Sequence, residues 1–79
     1  MKKMSEFLEA QVILTGKRRA VIENYRNIQS YTREEIIVLT SSGKLFVRGK
    51  KLEIPCYTPF EMYICGRIES ITLEEENKK

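Results

Sequence analysis

The chain has 79 residues, a net charge of +3, 42% hydrophobic residues and 32% charged residues. This length predicts one domain over residues 1–79, and no apolar run approaches the roughly 20 residues that a membrane-spanning helix needs. The sequence contains no His, no Asp and no Trp, which excludes a Ser-His-Asp triad and a metal site built with histidine. We therefore expect a protein that is not an enzyme and uses no cofactor.

The ends of the chain differ from its middle in pattern. The segment MSEFLEAQ could form one helical turn, with Ser5 as its cap and Phe7 and Leu8 packing, so a short N-terminal helix is optional. Residues 1–9 and 74–79 are expected to be flexible, solvated ends. The domain core should then cover about residues 11–73.

Between these ends, short apolar stretches alternate with turn residues, which predicts strands rather than helices. In EIIVLT the apolar residues occupy both alternating positions, so this strand should be central, with both of its faces covered. Ser41, Ser42 and Gly43 then predict a tight turn into the next strand of a hairpin. The first four predicted strands are residues 11–15, 20–23, 28–31 and 35–40.

Two longer segments change their hydrophobic phase at a glycine. In GKLFVRGKKLEI the apolar positions are odd before Gly49 and even after it, and in EMYICGRIESITL the phase reverses after Gly66. A period-two pattern that switches phase near a glycine indicates a bulge or a sharp bend. We interpret Gly49 and Gly66 as structural bends in two strands, and expect Pro55 and Pro59 to bracket the connection between these strands.

These elements predict an all-β fold of about six to eight short strands. A small meander that forms an open barrel or a rolled two-layer sheet fits the pattern best, because bent strands are how small barrels and sandwiches turn their corners.

The charges are distributed unevenly along the sequence. Residues 17–51 contain nine Lys or Arg and three Glu, whereas residues 52–79 contain three Lys or Arg and six Glu. The basic middle could bind nucleic acid or an anionic membrane surface, but the excess is small and a solvated surface is the simpler interpretation. The candidate interaction surface comprises Lys17, Arg18, Arg19, Arg48, Lys50 and Lys51.

Two further patterns resemble a phosphate-binding loop and a metal site, but each lacks residues that such a site requires. GKLFVRGKK resembles a phosphate-binding loop, yet it has five residues between its glycines, no Ser or Thr after the lysine, and no helix signal. Cys56 and Cys65 cannot complete a four-coordinate zinc site by themselves. We interpret them as small hydrophobic residues, with a disulfide or a redox site as the alternatives.

Several pieces of the sequence, in this order and spacing, resemble the YabP/YqfC family of sporulation proteins, closest to its YqfC branch. The resemblance covers about residues 11–73, and its most specific pieces are IEN at 22–24, TSSGKLFVRGKKL at 40–52 and GRIESI at 66–71. The YTPF segment at 57–60 is less typical of the family.

The resemblance implies a small β-rich protein that spore-forming bacteria make in the mother cell, where the family is associated with formation of the spore envelope or cortex. It implies no active-site residues. We expect a cytoplasmic protein, also placed at the surface of the developing spore, that assembles with itself or with a protein partner. Exposed strand edges in so short a chain could pair with a second chain.

Overall fold

The computed structural model describes residues 11–75, which form six antiparallel strands in one open sheet. The predicted all-β fold is confirmed. Residues 4–10 of the optional helical turn, and the expected flexible ends at 1–9 and 76–79, lie outside the described residues. The strands are β1 (Gln11–Thr15), β2 (Arg19–Glu23), β3 (Asn27–Tyr31), β4 (Glu35–Leu39), β5 (Gly43–Tyr57) and β6 (Glu61–Glu75).

The order of the strands requires the sheet to roll. The order is β1-β2-β6-β5-β4-β3, so β2 and β3 are four places apart, about 19 Å in a flat sheet. Residues 24–26 join them, and the four Cα steps from Glu23 to Asn27 span at most about 14 Å. The two ends of the sheet must therefore approach one another.

The core fills the space inside this roll. One cluster of buried side chains combines Ala20 and Ile22 of β2 with Ile36 and Val38 of β4, although these strands are not neighbours in the sheet. Such complete burial requires a second layer over the apolar face. The other members come from both halves of the long strands: Leu45, Val47, Leu52, Met62, Ile64 and Ile68.

The long strands β5 and β6 bend where the phase of their hydrophobic pattern changes. Their pairing shifts between Arg48 and Gly49, and again between Lys50 and Glu53. A Cβ at Gly49 would lie 1.9 Å from the carbonyl oxygen of Arg67, and one at Gly66 would lie 2.4 Å from that of Lys51. Each glycine thus packs against the backbone that follows the other glycine, at a distance that no side chain permits.

A hairpin turn closes each bend. In the β1–β2 turn, the carbonyl oxygens of Arg18 and Lys17 accept hydrogen bonds from the amides of Gly66 (3.2 Å) and Ile68 (2.8 Å). In the β3–β4 turn, the carbonyls of Glu34 and Arg33 do the same for Gly49 (3.0 Å) and Leu52 (2.8 Å). These hydrogen bonds continue the β2–β6 and β4–β5 pairings beyond their last strand residues, Arg19 and Glu35.

Two details differ from the sequence-based expectation. Pro55 lies inside β5 rather than in a connection, at a bulge where β6 is the strand beside it in the described sheet. Proline is compatible with such a position because one side of the strand needs no donor. Glu74 and Glu75 belong to β6 and pair with Lys44 and Gly43, so β6 extends two residues beyond the expected core of residues 11–73.

Candidate functional site

Strand β1 forms one edge of the sheet and exposes apolar side chains. All five of its residues are exposed, and Val12, Ile13 and Leu14 are 37%, 48% and 51% exposed. Its one neighbour in the described sheet is β2. Backbone groups on the outer side of such a strand are available to pair with another chain. We call Val12, Ile13 and Leu14 with this backbone the open edge.

The open edge contributes to both faces of the sheet. Val12 is opposite Ile22, which is opposite Met62, so Val12 extends a row of core residues. On the other face Ile13, Val21, Tyr63 and Cys56 follow one another across four strands. This outer row is partly exposed, with Tyr63 at 37%. An apolar surface therefore continues from the open edge across half of the molecule.

The opposite edge, β3, is built differently. It carries a bulge at Gln29, because its pairing with β4 shifts between Ile28 and Ser30. The hydroxyl of Tyr31 accepts a hydrogen bond from the amide of Ile54, at 3.0 Å. A bulge and polar side chains are features that discourage a strand from pairing at its edge. The two edges of the described sheet thus differ in regularity and in the character of their side chains.

A second candidate surface lies at the bend of β6. Lys17 and Arg18 on the β1–β2 turn share an open groove with Arg67, Ile68 and Glu69. Their carbonyl groups hold the turn against the bend, as described above, and this places the two side chains beside Arg67. Lys50 is opposite Arg67 in the β5–β6 pairing. We call Lys17, Arg18, Lys50 and Arg67 the basic bend.

The remaining predicted cations do not join this cluster. Arg48 Nε donates to Glu35 Oε2 at 2.7 Å, and its guanidinium lies 5.0 Å from the centre of the Phe46 ring. Arg19 lies on β2 opposite Cys65. Lys51 adopts a left-handed backbone with φ of 56°, which costs an ordinary residue about 1–2 kcal/mol. Lys51 therefore contributes to the bend through its backbone, and Arg48 has a partner already.

Sequence reasoning missed Arg67, which follows Gly66 within a segment whose net charge is acidic. Its position in GRIESI, where it aligns with Lys50 in FVRGKKLEI, was the signal that could have found it. The open edge was also not identified by its residues. Its signal was the segment QVILT, which contains no charge and no proline.

Neither cysteine is bonded to another residue through sulfur. Cys56 is exposed, Cys65 is half-buried, and both are free thiols. Within residues 11–75, no three His, Cys, Asp or Glu side chains come together as metal ligands would. The same residues include no helix with the length and hydropathy to cross a membrane.

Two tyrosines titrate away from their ordinary range. The hydroxyl of Tyr63 donates to Glu61 Oε1 at 2.9 Å, and this hydrogen bond raises the pKa of Tyr63 above 10.0. Burial raises the pKa of Tyr25, whose hydroxyl donates to the carbonyl of Thr58 at 2.7 Å. Both phenols are in their neutral form near pH 7, so neither is poised as a base.

Comparison with known proteins gives one result. A family model described as YabP family matches residues 8–79, nearly the whole chain. No curated protein and no solved structure matches significantly.

Proposed function

Because the chain belongs to the YabP family, we propose that it acts in sporulation as a non-enzymatic β-domain that binds a protein. Membership in this family is consistent with a general role in sporulation. The finer role that we propose is in formation of the spore envelope or cortex, in the mother cell or at the developing spore surface. The segments at 22–24, 40–52 and 66–71 favour the YqfC branch.

The observation that carries this proposal is the open edge. A soluble sheet normally blunts its edges with charges, proline or a bulge, as β3 does here with a bulge. Strand β1 has an uncharged sequence, and its apolar side chains are 37% to 51% exposed. The simplest use for such an edge is to pair with another polypeptide, which is either a second copy or a different protein.

The chemistry of the side chains supports the non-enzymatic part of the proposal. The sequence has no His and no Asp, which removes the commonest general bases. The two tyrosines with raised pKa values lie apart, one on β6 and one in the β2–β3 connection. No arrangement of nucleophile, base and orienting group emerges among residues 11–75.

Deletion of the gene in a sporulating host tests the proposed role. We expect spores with a defective envelope or cortex in electron micrographs, and restoration by the wild-type gene. A copy with Ile13→Lys should fail to restore them, because a charge blocks the open edge. The matched control Gln29→Lys places the same charge on the bulged edge and should restore them. Normal spores after deletion would contradict the proposed role.

The basic bend supports a second candidate function, the binding of nucleic acid or another anionic surface. Lys17, Arg18 and Arg67 line one groove in which Glu69 is the acidic residue. Binding through such a cluster should weaken steeply as the salt concentration rises. Titration with single-stranded DNA and flotation with anionic vesicles, both at low salt, would test it.

The paired variants for this second function are charge reversals. Replacing Lys17 and Arg18 together by Glu should abolish binding, whereas Lys44→Glu, which alters a cation opposite Glu74, should leave it intact. If the wild-type protein binds neither DNA nor vesicles at low salt, the basic bend is a solvated surface.

A further inference from the structure

The open edge has a sequence that is complementary to itself. In an antiparallel pair of two β1 strands centred on Ile13, each Val12 lies beside Leu14 of the second copy, and each Gln11 beside its Thr15. Every apolar residue then meets an apolar residue, and no charges of like sign are opposed. A parallel arrangement would not extend the sheet through a closed two-fold axis.

The same pairing continues the core of each copy. Val12 and Leu14 extend the buried rows that run through Ile22 and Met62 and through Ala20 and Ile64. In the pair, Leu14 of the second copy covers the outer side of Val12, and Val12 of the second copy covers Leu14. Val12 and Leu14, which are 37% and 51% exposed in the single chain, would therefore be partly covered by the adjacent β1 strand of the second copy.

We propose that two copies of this chain pair antiparallel through β1, with Ile13 on the two-fold axis, and join the two sheets formed by residues 11–75 into one continuous sheet. This inference deepens the proposed function, because it names a second copy as a partner of the open edge. Five paired residues make a small interface. We therefore expect a dimer that dissociates at roughly micromolar concentrations.

Sedimentation of the full chain over a range of concentrations tests the dimer. We expect a reversible monomer–dimer equilibrium. Ile13→Lys places two ammonium groups directly opposite each other on the axis and should raise the dissociation constant at least about 100-fold. Gln29→Lys, on the bulged edge, should leave the constant unchanged. Because Ile13 is 48% exposed, thermal melts of Ile13→Lys should show that the monomer still folds.

Cysteine cross-linking tests the register. In a background with Cys56→Ser and Cys65→Ala, a chain with Ile13→Cys should form a disulfide-linked dimer under mild oxidation. A chain with Gln11→Cys should not link to itself, because the two positions lie about 14 Å apart in the pair. Mixed with a Thr15→Cys chain, it should form a linked heterodimer.

Other outcomes would overturn the inference in different ways. A monomer at all concentrations, with β1 amides that exchange slowly with solvent, would assign the open edge to residues 1–10 of the same chain. A monomer with fast exchange at β1 would leave the edge to another protein. In the second case, a sporulation defect on deletion would preserve the proposed function, whereas the first would remove the observation that carries it. A dimer in which Gln11→Cys links to itself would exclude the antiparallel register.

Discussion

The β1–β2 hairpin and the β3–β4 hairpin occupy equivalent places on the two sides of the long pair β5–β6. Each lays its turn over a bend, and two of its carbonyl groups accept hydrogen bonds from amides at or beside that bend. Each contributes two fully buried side chains to the shared core, Ala20 and Ile22 on one side and Ile36 and Val38 on the other. The two hairpins therefore make equivalent contributions to closing the fold.

The hairpins differ at their outer strands. β3 is bulged and is tied to Ile54 through the hydroxyl of Tyr31, whereas β1 is regular and leaves three apolar side chains exposed. Since both hairpins meet the same demands of folding, that difference is not needed to close the roll. It is consistent with our proposal that β1 is the edge that binds a partner.

The largest expected effect comes from substituting the two glycines at the close contact between β5 and β6, the strand pair that both hairpins flank. We expect Gly49→Val to prevent folding or to cost more than about 4 kcal/mol, because its side chain would collide with the Arg67 backbone. Gly66→Ala should also destabilise strongly, because Gly66 has φ of 124° and packs against Lys51. Thermal and denaturant unfolding would measure both.

The control for these variants is the exposed neighbour Lys50. Lys50→Ala should change the free energy of unfolding by no more than about 0.5 kcal/mol. If Lys50→Ala were more damaging than Gly49→Val, the close approach of the two bends would not be what shapes the sheet.

The next largest effect tests whether the halves contribute equally to the core. Ile22 and Ile36 are both completely buried and occupy β2 and β4, the inner strands of the two hairpins. We expect Ile22→Ala and Ile36→Ala each to cost about 2–5 kcal/mol in unfolding free energy. If the two losses of unfolding free energy differed by several kcal/mol, one hairpin would contribute much more to the stability of the core than the other.

A smaller effect is expected from a variant that makes the two edges more alike. Tyr31→Phe removes the acceptor for the Ile54 amide while keeping the ring, and we expect a loss of about 0.5–1.5 kcal/mol. Hydrogen exchange should become faster at Ile54 and along β3, and remain unchanged at β2. Unchanged exchange at Ile54 would mean that this hydroxyl does not secure the edge.

The sequence allowed prediction of local features and not of their arrangement. The strand QVILT and an irregularity of pairing near Gly49 and Gly66 were readable, because alternation and glycine act over a few residues. The strand order, which separates β2 from β3 in the sheet, could not be predicted, because it depends on how the long strands pack one layer of the sheet against the other. Nor could spacing show that Arg67 joins Lys17 and Arg18, because these residues meet only through the turn that covers the bend.

The smallest expected effect concerns Tyr63, on the outer face of the half that carries the open edge. Its hydrogen bond to Glu61, and then the charge of that carboxylate, raise its pKa above 10.0. Because the folded pKa exceeds the unfolded one, the stabilisation is complete below pH 10.0 and disappears as the pH rises through the folded pKa. In an alkaline titration of tyrosinate absorbance, Glu61→Gln should lower the pKa of Tyr63 towards its ordinary value. The pKa of Tyr25 should stay raised in the same variant, since burial is its main cause. A Tyr63 pKa that did not respond would show that the pair with Glu61 does not persist in solution.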